Sequence, residues 1–315
     1  MQNLGTLDDQ YTILSKKAEE SIRIYYVAKH NKTNIEYIIE IKNDKYKFNN
    51  SHDNFPDKDI NILKILNDIN NPYILRYIGN GNGILALNNE PNINVSYIIY
   101  ENAPKLILFR YTSKGRFSER HSKLIFKKIL NGIQAMHNSN ICHGDIKPNN
   151  IFLDENYNPK IYGFYASFFG TDNFHKKWCS KSYTAPEVYN VHNNPYSGIK
   201  IDIFSLGQLL FNLVSGMIGF HFARVDDKYY KYIKNHQFNE YWQLPDFNDL
   251  NLTQSFKNLF VRMVAFNPDE RPTIDQILND VWMQEINNLN AEQINVLENE
   301  LRQEFHNRES LVEDD

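Results

Sequence analysis

His143-Gly144-Asp145-Ile146-Lys147-Pro148-Asn149-Asn150 sets a carboxylate and an ammonium two residues apart, followed by a proline and two amides. Upstream, Ser118–Met136 carries Leu124, Ile125, Ile129, Leu130 and Ile133 at helical spacing, and Ser118 with Glu119 suits the start of a helix. Downstream, Ile151–Asp154 and Lys160–Tyr162 read as a pair of strands. The polar octet is therefore a loop carried between a helix and two strands.

Further out, the first hundred residues are strand-like. Ile22–Ala28 and Tyr37–Lys42 are β-branched and aromatic runs on either side of the polar turn His30–Asn34. Asp57–Asn67, apolar at 60, 62, 63, 65 and 66, reads as a short helix, and Ile74–Ile78 and Val95–Tyr100 as further strands. After Pro104 the helical period takes over, so a strand-rich lobe precedes a helix-rich one with a hinge near Glu101–Pro104. Ile203–Ala223 holds no Asp, Glu, Lys or Arg and is long enough to span a bilayer, but Gln208, Asn212, Ser215 and His221 interrupt it and Gly216 and Gly219 break it. It reads as a buried core helix. Near the end, Asn290-Ala291-Glu292-Gln293 has the form of a capping box. Ile294, Leu297, Leu301 and Phe305 then share one helix face, which either packs on the large lobe or is offered to a partner.

Composition sets the outer limits. A chain of 315 residues with 42% hydrophobic and 23% charged residues is an ordinary globular one with room for two lobes. A net charge of −4 gives no reason to expect a nucleic-acid partner. Two cysteines, Cys142 and Cys179, cannot form a disulfide framework or a CxxC metal pair. The start, MQNLGTLDDQ, lacks the basic and apolar regions of a signal peptide. The expectation is an intracellular, cytoplasmic protein without a membrane span.

The octet resembles the catalytic loop of eukaryotic protein kinases, H-R-D-L-K-P-x-N. The likeness continues in family order: Ala185-Pro186-Glu187; Asp202-Ile203-Phe204-Ser205-Leu206-Gly207, similar to D-I-W-S-L-G; and Asn267-Pro268-Asp269-Glu270-Arg271-Pro272-Thr273, similar to N-P-x-x-R-P-T. It extends over about residues 11–284 and looks most like the calmodulin-dependent group of Ser/Thr kinases. The resemblance implies an α+β, bilobal fold, with a small antiparallel β-rich N-lobe and one helix over residues 11–103. A mainly α-helical C-lobe follows over 104–284, with an N-terminal extension at 1–10 and an amphipathic helical tail at 285–315.

What the resemblance implies about the site is mixed. Asp145, Lys147 and Asn150 match retained catalytic-loop positions, Asp145 that of the general base. His143 and Phe164 with Leu63 match a packed apolar column, and Glu187, Asp202 and Arg271 match residues that hold the fold. The nucleotide site departs from the family throughout. Ala18, Glu20 and Arg23 stand at the three glycines of the phosphate loop, where side chains obstruct the backbone's approach to phosphate. Glu40 replaces the phosphate-pairing lysine, with Lys42 the nearby substitute, and Asp59 replaces that lysine's glutamate partner. Asp59 and Glu40 then either oppose each other or turn to solvent.

Tyr25, Ile38 and Phe152 fill the adenine sandwich, and Tyr100 adds bulk at its back. Gly163-Phe164-Tyr165 stands at D-F-G, so the magnesium-binding carboxylate is missing, with Asp172 the distant alternative. Gly144 replaces the arginine that docks an activation-segment phosphate. The expectation is a pseudokinase: a scaffold or allosteric regulator that works through a protein partner, an active kinase or a signalling complex, with no metal and no cofactor. A weak ATP- and Mg-dependent Ser/Thr kinase and a non-catalytic nucleotide sensor are the alternatives.

Overall fold

Alternation along the N-terminal strands closes a barrel. The computed structural model describes residues 3–19, 23–42, 57–170, 180–189 and 195–313, with the side chains of 57–59 and 312–313 left out. Six antiparallel strands follow one another around the barrel in the order β1-β2-β3-β4-β6-β5. They are β1 (Gly5–Leu7), β2 (Tyr11–Glu19), β3 (Arg23–His30), β4 (Glu36–Lys42), β5 (Tyr77–Leu87) and β6 (Ile93–Glu101), with helix α1 (Asp57–Ile69) between β4 and β5. Successive strand side chains point to opposite faces, and both faces here are apolar. Leu7, Ile13, Tyr26, Ala28, Ile39, Ile41, Leu85, Val95, Tyr97 and Ile99 fill the barrel. Tyr25, Ile38, Ile98 and Tyr100 join Ile62, Leu63 and Leu66 of α1 in the cluster that continues into the large lobe.

Two expectations change. Residues 5–7, assigned to an extension, form β1, which pairs with β2 on one side and β5 on the other and closes the barrel. The strand expected at Ile74–Ile78 begins at Tyr77 and runs to Leu87, while Ile74 makes only an isolated bridge to Ile161. Its Gly79-Asn80-Gly81-Asn82-Gly83 segment has poor strand propensity. Pairing with β6 holds it there, and a Cβ at Gly81 would lie 2.6 Å from the Tyr97 hydroxyl. β2 carries two register shifts, one between Lys16 and Ala18, and such bulges re-aim side chains.

In the large lobe α2 (Leu108–Thr112) and α3 (Glu119–Asn138) lead to β7 (Ile141–Cys142), β8 (Ile151–Leu153), β9 (Pro159–Ile161) and β10 (Phe168–Phe169). Ser118 caps α3, accepting a hydrogen bond from the His121 N–H at 3.1 Å. After α4 (Pro186–Tyr189) comes α5 (Gly198–Ser215), apolar and long enough to cross a membrane by length and composition, yet almost wholly buried as the core helix of this lobe. It ends at Gly216 with φ +75°. Helices α6 (Tyr230–Lys234), α7 (Phe238–Trp242), α8 (Gln254–Met263), α9 (Ile274–Leu278) and α10 (Gln284–Asn287) complete the lobe.

The last helix, α11 (Ala291–Glu313), opens with the expected capping box: the Asn290 N–H donates to the Gln293 side chain and the Gln293 N–H to that of Asn290. Its stripe packs on its own large lobe. Leu297, Leu301 and Phe305 are buried, and Phe305 lies with ring centroids 5.1 Å from Tyr111, Phe117 and Tyr157. Glu309 accepts from Lys105 Nζ (2.9 Å), the Tyr111 hydroxyl (3.1 Å) and the Tyr157 hydroxyl (2.6 Å), which brings the helix to the hinge.

Candidate functional site

The site lies where the lobes meet, with the catalytic-type loop as its floor. Asp202 on α5 fixes that loop, accepting from the backbone N–H groups of His143 and Gly144 at 2.9 Å each and from His137 Nε2 at 2.8 Å. His137, Cys142 and Asp202 offer ligand atoms within 4.8 Å of one another, but the carboxylate is already engaged by these three donors. The cluster is a structural hub. His143 is buried, and burial pushes its pKa down against the pull of Asp202. Its Nδ1 accepts from the Asp145 N–H (3.2 Å), so Nε2 carries the proton and donates to the Tyr162 carbonyl (2.9 Å). The apolar column is assembled: Leu63, Phe164 and His143 are all buried, with Phe164 and His143 ring centroids 5.8 Å apart.

Asp145 is 6% exposed and sits among donors. Its Oδ2 accepts from Lys147 Nζ (2.6 Å), Asn150 Nδ2 (2.9 Å) and the Tyr165 hydroxyl, and Lys147 also reaches the Ser180 hydroxyl at 3.1 Å. Burial opposes ionisation, but the Lys147 ammonium and the hydrogen bonds from Lys147, Ser180 and Tyr165 hold this carboxyl below the usual carboxylate range. Asp145 is thus a charged, loop-bracing group.

Two glycines close the floor. Gly163 has φ +83°, and a Cβ there would meet Asn150 Oδ1 at 2.8 Å. Asn150 Nδ2 is committed to Asp145, so its Oδ1 faces this glycine and no second carboxylate is present at the position. Gly144 has φ +80°, and a Cβ there would lie 2.7 Å from the Ala166 carbonyl, which is tight for any larger residue.

The roof is charged and aromatic. Arg23 at the head of β3 and Glu40 on β4 face the cleft, 0% and 3% exposed, with Arg23 Nη1 3.2 Å from Glu40 Oε1. Tyr100 on β6 donates to Glu40 Oε2 at 2.7 Å. The alternative that Glu40 turns to solvent is therefore corrected: strand alternation points it inward, and Arg23 is a cation beside it. Lys42 lies opposite Arg23 at the end of the β3–β4 ladder. Asp59 lies on the first turn of α1 with its side chain outside the described residues, as are Glu20 and Asp172 altogether.

Below the pair, Phe152 stacks on Tyr162 at 3.7 Å and 9°, and Tyr25 meets both edge-on at 6.0 and 5.1 Å. Ile38 and Tyr100 belong to the same buried cluster, and Ala18, opposite Tyr25 in the ladder, packs against it.

Lys17, next to the bulge in β2, reaches across to the hinge. Its ammonium donates to the carbonyls of Pro104 (2.9 Å) and Lys105 and lies 5.6 Å over the Phe152 ring. Burial draws its pKa down to about 8, against the Glu309 carboxylate. The hinge is thus held by β2 from one side and by α11 from the other.

Four participants escaped the sequence reading: Lys17, Tyr162, Tyr165 and Ser180. Tyr165 was visible as the third residue of Gly163-Phe164-Tyr165, where the family has glycine. Lys17 carried no signal, because its role depends on a bulge.

The fold-holding contacts are in place. Arg271 is 2% exposed and binds Glu187 through both nitrogens at 2.6 and 2.8 Å.

Comparison with known proteins agrees with this architecture. The model of the protein kinase domain matches residues 24–283. NUAK family SNF1-like kinase 1 of Mus musculus is 31% identical over 239 residues, 72% of this chain and 34% of that protein. The carbon catabolite-derepressing protein kinase of Candida tropicalis is 27% identical over 278 residues, 88% of this chain and 41% of that protein. Serine/threonine-protein kinase SIK1 of Mus musculus is 32% identical over 219 residues, 64% of this chain and 26% of that protein. The chain thus spans between 26% and 41% of the length of these relatives. With a matched segment that runs from β3 to the end of the large lobe, and with both lobes built as the match requires, the chain belongs to the protein kinase domain family.

Proposed function

We propose that this protein is a pseudokinase, a kinase-fold scaffold or allosteric regulator with little or no phosphotransfer. The observation that carries the reading is the buried Arg23–Glu40 pair. The residues at a phosphate-loop glycine and at the phosphate-pairing lysine neutralise each other, so neither is offered to a nucleotide. Phosphoryl transfer relies on positioning and charge neutralisation by a glycine-rich loop, a lysine, a metal-holding carboxylate and a base. ATP with magnesium does not fit the residues present in the family manner. Tyr25, Phe152 and Tyr162 pack on one another across the adenine slot. Gly163 supplies no carboxylate for a hard cation. The protein acts through a protein partner, an active kinase or a signalling complex.

A second reading, a weak Ser/Thr kinase, draws on the Asp145–Lys147–Asn150–Ser180 cluster and on relatives that are kinases by name. Thermal unfolding with and without millimolar ATP, each with and without Mg²⁺, separates the two. A ligand at 100 times its dissociation constant stabilises by about 2.7 kcal/mol, several degrees in midpoint at this size. The expected result is no shift and no phosphotransfer. An Mg²⁺-dependent shift, with phosphotransfer lost in Asp145→Asn, supports the kinase.

A further inference from the structure

We propose that Tyr165 is an internal acceptor mimic: its phenol occupies the Asp145 oxygen that would receive the proton of an incoming hydroxyl, and its ring ties that loop to the small lobe. The inference deepens the reading of the cleft given above and rests on Asp145 descending from a catalytic base.

The argument begins with hydrogen-bond capacity. A carboxylate oxygen offers about two lone-pair sites. Asp145 Oδ2 already has three donors: Lys147 Nζ, Asn150 Nδ2 and the Tyr165 hydroxyl. Lys147 and Asn150 are catalytic-loop residues, fixed within five positions of Asp145. Tyr165, like Ser180, is a donor from outside that loop, and it comes 20 residues on, directly after the turn at Gly163. A hydroxyl approaching Asp145 Oδ2 must compete with it.

The second observation lies on the other side of the ring. The Arg23 guanidinium lies 5.9 Å over the Tyr165 ring centroid, within cation–π range. Arg23 is held by Glu40, and Glu40 by Tyr100. One side chain thus links the charged pair of the roof to the carboxylate of the floor, through the space where an acceptor and a transferring phosphoryl group would have to meet. A glycine at 165, the family's residue, could make neither contact. Tyr165 also places its hydroxyl 3.5 Å from Lys147 Nζ, so the cation that would neutralise transferred charge faces the same phenol.

The test measures how accessible the Asp145 carboxyl is in the full chain. A water-soluble carbodiimide with glycinamide is applied to wild type, Tyr165→Phe and Tyr165→Gly. Peptide masses then report Asp145 as the glycinamide adduct or as the internal amide with Lys147. Asp202, buried and held by backbone N–H groups, is the internal control. The expected result is slow reaction of Asp145 in wild type and about tenfold faster reaction in both variants, the scale of one hydrogen bond to a charged group, with Asp202 still protected. Asp145 equally protected in all three proteins overturns the proposal. So does Asp202 opening in step with Asp145, which would make Tyr165 a packing residue only. A nucleotide-dependent thermal shift would remove the reading of the cleft and leave this labelling pattern intact, so the two failures are distinguishable.

Discussion

Replacing Arg23 by Met removes one member of a buried ion pair and leaves the shape nearly unchanged. At 3.2 Å and an effective dielectric near 20, the direct attraction is about 5 kcal/mol. Desolvation of both groups offsets much of it, so the net worth of the pair is small. Breaking it is another matter. Glu40, 3% exposed, would keep its Tyr100 hydrogen bond but lose this countercharge, and removing one partner of a buried ion pair costs about 3–5 kcal/mol. For a chain of this length that is roughly 5–8 °C in unfolding midpoint. Adding Glu40→Gln to Arg23→Met removes the remaining charge of this pair and keeps an acceptor for Tyr100, so most of the loss should return. Urea or thermal unfolding of wild type, both single variants and the double variant closes the cycle. An Arg23→Met loss below about 1 kcal/mol, or a double variant no more stable than Arg23→Met, would refute the reasoning and return both side chains to solvent.

Two further predictions concern the floor and the tail. Gly163→Asp, which restores the family's metal-binding residue, forces a side chain into φ +83° with its Cβ 2.8 Å from Asn150. It should cost about 1–3 kcal/mol without creating an Mg²⁺-dependent thermal shift, and a stabilised, Mg²⁺-responsive variant would refute this geometry. On α11, burial works against ionisation of Glu304 and Glu309. Even so, hydrogen bonds from His121 and Arg308 to Glu304, and from Tyr157, Lys105 and Tyr111 to Glu309, hold both carboxyls below the ordinary glutamate value of 4.5. Groups with depressed folded pKa values stabilise above their unfolded value and lose that contribution as pH falls through the folded one. Wild type should therefore lose stability from about pH 5 downward more steeply than Glu304→Gln/Glu309→Gln, as read by urea unfolding across pH. Parallel curves would show the tail contacts to be solvated.

The fold was legible because its markers are chemical and local. The octet at 143–150 marks a loop between a helix and two strands; Asp202 holds it by its backbone N–H groups, and Arg271 pairs with Glu187. The tail helix was legible for the same reason, through its capping box and apolar stripe. What the sequence hid depends on three-dimensional pairing. Nothing in the order of residues says that Arg23 turns onto Glu40 and that Glu40 is buried. That outcome follows from register between β3 and β4, which puts both on the cleft face. The Gly/Asn segment of β5 gave no strand signal because what holds it is its pairing with β6. Lys17 reaches the hinge because a bulge displaces it, and bulges leave no trace in a period-2 pattern.

The replacements in the cleft are also mutually dependent, which bears on how such a site is retained. Arg23 contacts Glu40, Tyr25 contacts Phe152 and Tyr162, and Tyr165 contacts Asp145 and Arg23. Reverting one position toward the family therefore strands another. Glu40→Lys would set two cations against each other in a buried place, and Arg23→Gly would leave Glu40 without this cation. Truncating Tyr25 to the family's valine would open space beside Phe152 and Tyr162, with the penalty of about 1–4 kcal/mol typical of large-to-small changes in a core. Each of these single steps is expected to lower stability. On the function proposed above, the cleft is a packed core in its own right, and building a nucleotide site of the family type would take several joint substitutions, beginning with Arg23 and Glu40 together.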